Sequence, residues 1–256
     1  MISKAKIKYI HTLQAKKGRN AEQCFVAEGP KVVGDLMETS SPKTVVATAS
    51  WLDEHRNMLG NNTELYDVTE EELQKVSFLQ HPQQVLAIFP MYSNTKASLP
   101  DADELCLALD GVQDPGNLGT IIRIADWFGV KRIYCSRETA DVYNPKVVQA
   151  TMGSIARVHL VYTDLAQLLT QAQGKIPVYG TLLDGENLYE KPLTAGGIIV
   201  MGNEGNGISQ EIRPLVTERL LIPSFPPNRP TAESLNVAIA TAVTCAEFRR
   251  RISSLI

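Results

Sequence analysis

The clearest pattern of apolar and polar positions runs from Leu105 to Cys135. Alternating apolar residues lead into Asp110 and predict a buried strand. A loop with Gly111, Gly116 and Gly119 follows, and Ile121, Ile122, Ala125 and Phe128 then recur at helical spacing. After Gly129 the run Val130–Cys135 predicts a second strand, so this stretch is one βαβ unit. On its helix, Ile121, Ala125 and Phe128 share one side, while Thr120, Arg123 and Trp127 lie opposite. Spacing leaves two readings of Arg123 open. It is a solvated helix arginine, or a cation one turn past a glycine loop that faces a phosphate or a partner chain.

The first 90 residues repeat the same two periods on a smaller scale. They predict a basic helix over Lys4–Ala15, with Ile7, Ile10 and Leu13 on one side, and strands at Cys24–Ala27, Thr44–Thr48, Leu65–Val68 and Val85–Phe89. Helices are expected from Pro30 to Thr39 and over Trp51–Leu59, and Thr69 with Glu72 has the spacing of a capping box for a helix ending at Val76. Gln80–Gln84 reads as a polar turn. The segment Pro90–Asp103 is polar and aperiodic, which places a linker at 93–103 between domains at 1–92 and 104–256.

Past the βαβ unit, helices are predicted from Asn144 to Met152, from Thr163 to Gly174 and over Ser209–Thr217. Strands are predicted at Val158–Tyr162, Val178–Leu183, Gly197–Gly202 and Arg219–Ile222. A last helix, Ala232–Arg251, is apolar almost all round, which predicts packing on the sheet and against something else, such as a subunit. The alternation gives the fold class: α/β, with a mostly parallel sheet covered on both faces and a smaller N-terminal α/β domain.

Composition adds little, but charge adds something. The net charge of −3 gives no overall support for nucleic-acid binding, yet residues 1–22 hold Lys4, Lys6, Lys8, Lys16, Lys17 and Arg19 against Glu22 alone. Arg249, Arg250 and Arg251 close the last helix, where cations suit the helix dipole. The N-terminus has no apolar signal core and no stretch is long enough to span a bilayer, so a cytoplasmic protein is expected. Cys24, Cys106, Cys135 and Cys245 are scattered, as are the histidines; reduced thiols and no metal site are expected.

Three loops leave strand ends in the second domain: Gly111–Gly119, Gly202–Gly207 and Pro223–Thr231. Ligands of open α/β sheets bind outside the carboxyl ends of strands, so these loops are expected to meet. Their glycines do not space as G-x-G-x-x-G, which argues against a dinucleotide-dependent oxidoreductase. There is no G-K-[ST] and no G-x-S-x-G elbow. Residue patterns alone stop at an α/β domain with a composite ligand pocket.

The same loops resemble, in order, the three motifs of the SpoU (TrmH-like) RNA 2′-O-ribose methyltransferases of the SPOUT superfamily. The residues are Asp114 to Arg123 (DPGNLGTIIR), Ile199 to Ile208 (IVMGNEGNGI), and Leu221-Ile222-Pro223 completed by Ser234 to Ala238 (SLNVA). The N-terminal domain resembles the ribosomal-protein-like, RNA-binding substrate domain often attached to these enzymes. The resemblance implies a trefoil-knot methyltransferase domain, a homodimer with active sites at its interface, and S-adenosylmethionine held mainly by backbone atoms at Leu182, Gly202, Ile222 and Leu235. It also implies methyl transfer to a ribose 2′-hydroxyl, in ribosomal more than transfer RNA. Arg123 is then expected to bind the target phosphate and steady the developing alkoxide, Asn117 to orient Arg123 or the ribose, and Glu204, Ser234 and Asn236 to complete the surrounding hydrogen bonds. The family's short glycine-containing loop is replaced here by Ser224–Glu233, longer and without glycine, where Arg229 could add an RNA contact. With the acidic charge, that departure motivates the alternative of a non-catalytic RNA-binding or ribosome-assembly factor retaining the fold.

Overall fold

The computed structural model describes residues 2–92, 96–226 and 232–253. The chain forms two compact units, Met1–Ser93 with Asp141–Ala156, and Asn94–Ala140 with Arg157–Ile256.

The first unit carries α1 (Lys4–Thr12), α2 (Lys16–Glu22), β1 (Cys24–Glu28), α3 (Pro30–Met37), β2 (Thr44–Ala47), α4 (Ala49–His55), β3 (Glu64–Asp67), α5 (Glu70–Val76) and β4 (Val85–Pro90). Its sheet runs β1-β4-β2-β3, with β4 antiparallel to both neighbours and β2 parallel to β3. Ile10, Leu13, Val26, Val46, Leu73, Val76, Leu86 and Ile88 pack as one core cluster. The capping box at Thr69 and Glu72 forms in both directions.

One expected helix is two. The helix predicted over Lys4–Ala15 stops at Thr12, and a second begins at Lys16. Gly18 packs so closely on the Thr12 carbonyl that a Cβ there would collide with it. The Arg19 side chain, 2% exposed, donates to the carbonyls of Leu13 (3.0 Å) and Gln14 (2.6 Å) and pairs with Asp141 (2.6 Å). Its two terminal nitrogens are taken up by carbonyls and a carboxylate, which offsets much of the cost of burying the cation, while its Nε is buried without a partner. It also ties in the segment Asp141–Ala156, whose α7 (Pro145–Ala150) packs on β1 and whose Tyr143 ring meets Phe25 at 4.9 Å.

The second unit carries β5 (Leu105–Asp110), α6 (Pro115–Trp127), β6 (Arg132–Cys135), β7 (His159–Tyr162), α8 (Leu165–Ala172), β8 (Val178–Asn187), β9 (Gly197–Gly202), β10 (Glu218–Leu221) and α9 (Val237–Ser253). Its six strands are all parallel, in the order β10-β8-β9-β5-β6-β7. The central strands β5 and β9 are buried almost throughout, as their unbroken apolar runs require.

Three expectations fail here for local reasons. Ser209–Thr217 forms turns and a short 3-10 segment at Arg213–Leu215 in place of an α-helix. Pro214 has no N–H to donate, so the hydrogen bonds of an α-helix cannot run through it. Asp164, not Thr163, caps α8 by accepting from Gln167 N at 2.9 Å. The last helix begins at Val237 instead of Ala232, because Asn236 caps it: its Oδ1 accepts from Ala238 N (2.9 Å) and Ile239 N (3.3 Å). Nor is α9 buried on every side of the single chain. Leu235, just before it, and Ile239 on it are 51% and 53% exposed.

Candidate active site

The site begins with two carboxyl ends of neighbouring strands. β5 ends at Asp110 and β9 at Gly202, in register with each other. Asp110 Oδ2 accepts from Ser209 N at 2.7 Å, lacing the loop after β9 to the end of β5. Asn203 makes the second stitch. Its Nδ2 donates to Gly111 O at 2.7 Å, while its Oδ1 accepts from Gly205 N (2.9 Å) and Asn206 N (3.0 Å). The backbone pairs Asn203 with Gly207 across this tight turn, and a Cβ on Gly202 would run into the Gly207–Ile208 backbone. Only glycine fits at 202.

This lacing presents Glu204 to the first loop. Its carboxylate accepts from Asn117 Nδ2 (3.0 Å) and from the backbone amides of Gln113 and Asp114 (3.3 Å each). Asp114 caps α6 by accepting from Asn117 N at 2.7 Å, which fixes Asn117 in the first turn. Asn117 Oδ1 then accepts from Asn236 Nδ2 at 2.9 Å. Glu204, Asn117 and Asn236 are thus one hydrogen-bonded chain, and each comes from a different motif. Partial burial alone would raise the Glu204 carboxyl; the hydrogen bonds from Asn117 and the backbone outweigh it and hold the group below the usual carboxylate value.

Beside this chain lies a cavity of about 790 Å³, within the range of small-molecule sites. Leu182, Gly202, Ile222 and Leu235 all line it, as do Glu204 and Ser234. Asp184 and Glu233 add further carboxylates to the lining, which among the described residues holds one cation, Arg213. An apolar cradle with exposed backbone and an excess of acid fits a sulfonium nucleoside such as S-adenosylmethionine, as the resemblance implies.

Arg123 belongs to neither arrangement. It sits on the exposed side of α6 with Thr120 and Trp127, the last 84% exposed, and makes no hydrogen bond or ion pair among the described residues. The expected contact from Arg229 lies outside the described residues. Sequence reasoning passed over Asn203 and Asp110; an asparagine opening a glycine-rich turn was the available signal, since Asn side chains bond the backbone two residues on. It also read the arginines after residue 248 only as helix-dipole partners, although Arg249 and Arg251 donate to specific carbonyls: Phe128 and Gly129, and Leu188 and Lys191.

In the first unit, Lys4, Lys8, Lys16 and Lys17 are exposed and form no ion pair among the described residues, whereas Lys6 pairs with Glu64. All four cysteines are buried free thiols. Among the described residues no cluster of His, Cys, Asp or Glu is placed to hold a metal, and no helix is long and apolar enough to cross a membrane.

Comparison with known proteins agrees with the residue-level picture. The SpoU rRNA methylase family matches residues 104–246, and the MRM3-like substrate binding domain matches residues 4–87. A Bacillus subtilis protein, the 23S rRNA (guanosine(2553)-2′-O)-methyltransferase RlmP, is 30% identical over 95% of this chain and 96% of its own. A protein assigned to the TrmH family of RNA methyltransferases, from Porphyromonas gingivalis, superposes with a TM-score of 0.87 at 42% identity, over 98% of this chain and 99% of its own. An AdoMet-bound rRNA methyltransferase from Sinorhizobium meliloti superposes with a TM-score of 0.88 at 30% identity, over 98% and 97%. Motifs, fold and relatives agree, and the chain belongs to the SpoU rRNA methylase family.

Proposed function

We propose that this protein transfers the methyl group of S-adenosylmethionine to a ribose 2′-hydroxyl in structured ribosomal RNA. The observation that carries the reading is the Glu204–Asn117–Asn236 chain, which joins all three motif loops beside the cavity. When bound, the cofactor supplies an already activated methyl on a sulfonium. The protein must then align a hydroxyl with it and help that hydroxyl lose its proton.

The side chains divide this work. Leu182, Gly202, Ile222 and Leu235 hold the cofactor. Glu204 stays ionised, with its oxygens engaged by three donors, so it orients Asn117 and does not take the ribose proton. Asn117, Asn236 and Ser234 position the ribose. Arg123, permanently charged, binds the target phosphate and stabilises the alkoxide as it forms.

The active enzyme is a homodimer. Arg123, Trp127 and Ile239 are exposed in one chain, and a second copy would cover them and bring Arg123 to its neighbour's cavity. Residues 1–92 form the substrate-binding domain and 104–256 the methyltransferase domain, joined by 93–103. The exposed Lys4, Lys8, Lys16 and Lys17 give the first a phosphate-facing surface. The protein works in the cytoplasm, where ribosomal RNA is its substrate.

The test uses ribosomal RNA from a strain lacking the gene, incubated with purified protein and methyl-labelled S-adenosylmethionine. Label in an alkali-resistant dinucleotide supports ribose methylation. RNA binding without label supports the non-catalytic assembly factor instead.

A further inference from the structure

The two helices that flank the site are pinned at both ends. Asn117, in the first turn of α6, bonds Asn236, the cap of α9. At the other end Arg249 of α9 reaches the close of α6, its Nε donating to Phe128 O (2.7 Å) and its guanidinium to Gly129 O (3.2 Å). N-terminal end meets N-terminal end, so α6 and α9 run parallel. Gly129 takes a positive φ of 66°, and Val130 N bonds back to Ala125 O at 2.8 Å. That C-terminal turn leaves the carbonyls of Phe128 and Gly129 facing outward, and one planar fork takes both. Arg123 lies midway between the pins, six residues from Asn117 and six from Gly129.

We propose that Arg249 is a positioning residue for methyl transfer: it fixes the axial register of α6 on α9, and so the height at which Arg123 is presented to the cofactor cavity of the neighbouring chain. The inference rests on the functional reading above. A slip of one residue along a helix is about 1.5 Å, and misplacements of about 1 Å cost on the order of 100-fold in rate. The buried face of α6, with Leu118, Ile121, Ile122 and Ala125, holds it on the core, and the Asn117–Asn236 bond fixes its first turn; Arg249 supplies the directional bonds that fix its last.

The test compares R249Q and R249K with the wild type. Lysine keeps the charge but cannot fork across two carbonyls. We expect kcat to fall about tenfold or more in R249Q and nearly as far in R249K, with KM for RNA and S-adenosylhomocysteine affinity within about threefold of wild type. Amide exchange at Phe128–Val130 should quicken in both variants, a readout independent of turnover. Unchanged kcat in folded R249Q overturns the proposal, as does full recovery in R249K, which would leave charge alone as the cause. A kcat that falls only in step with cofactor affinity and melting temperature also overturns it, because the role is then plain stability. A wild-type protein that moves no methyl, yet shows the same exchange pattern, defeats the functional reading instead and keeps Arg249 as a pin only.

Discussion

Two faces of the second unit differ in how complete they are. Around Glu204 the polar side chains of Asp110, Asn117, Asn203 and Asn236 are all engaged within a single chain. Around Arg123, on the opposite side of the same helix α6 from its core residues, the guanidinium makes no bond among the described residues, and Trp127 stands in the open. The finished face is built to keep its shape before anything binds. In the proposed function the open face is completed by RNA and by a second chain. On that reading the division is physically sensible, since a cofactor pocket must be preorganised, whereas the cation must wait for a phosphate.

Changes on the open face should separate activity from stability most widely. R123A is expected to lower kcat about 1,000-fold, the upper range for one electrostatic donor. Its unfolding free energy should stay within about 0.5 kcal/mol, as for other exposed positions. Equilibrium unfolding beside single-turnover assays checks both halves. I239E places a charge on the face proposed to meet a second copy; sedimentation should show a shift toward monomer, with activity about 100-fold down and the fold retained.

A change on the finished face should couple the two properties. N236A removes the cap of α9 and the last link to Asn117, so it should cost about 1 kcal/mol of stability as well as activity. Thermal melts and the same transfer assay report it.

Two smaller effects sharpen the picture at its edges. Replacing Lys4, Lys8, Lys16 and Lys17 with glutamine should flatten the salt dependence of RNA binding, by up to about 1 in log–log slope for each phosphate no longer neutralised. Cofactor affinity should not change. At the C-terminal end, hydrogen bonds from Arg250, opposed by burial and joined by Arg251, hold the Glu247 carboxyl down at about 2, from an ordinary 4.5. The folded value lies below the unfolded one, so this contribution is present above about pH 4.5 and is lost as pH falls toward about 2. Melting temperatures between pH 6 and 2.5 should therefore fall less steeply in E247Q than in wild type.

What could be read without coordinates followed the physics of each signal. The period-2 runs located β5 and β9 well, because those strands are buried where their apolar residues fall, whereas α6 starts at Pro115, inside the stretch read as a glycine loop through Gly119, because Asp114 caps it there. The α-helix expected at Ser209–Thr217 failed on a single proline, a local rule that outweighs periodicity. The last helix starts at Val237, five residues after the expected Ala232, because the Asn236 side chain takes the first free amides, Ala238 N and Ile239 N, a contact that apolar periodicity does not mark. Residue types at motif positions led to Asn117, Glu204 and Asn236. They could not reveal that these three bond in series, or that Arg249 reaches the end of α6, because such contacts join residues about 90 to 120 positions apart.

The central claim is that the complete cavity of one chain is served by the open arginine of another, and mixed dimers test it directly. R123A keeps an intact cavity without the arginine; L182W, which fills the cavity, keeps the arginine without a place for cofactor. Each should be inactive alone. Unfolding and refolding the two together should restore about a quarter of wild-type methyl transfer, since half the dimers are mixed and each has one working site. If the mixture stays as inactive as its parents while mixed dimers form, Arg123 does not act across the interface, and the account of the site is contradicted.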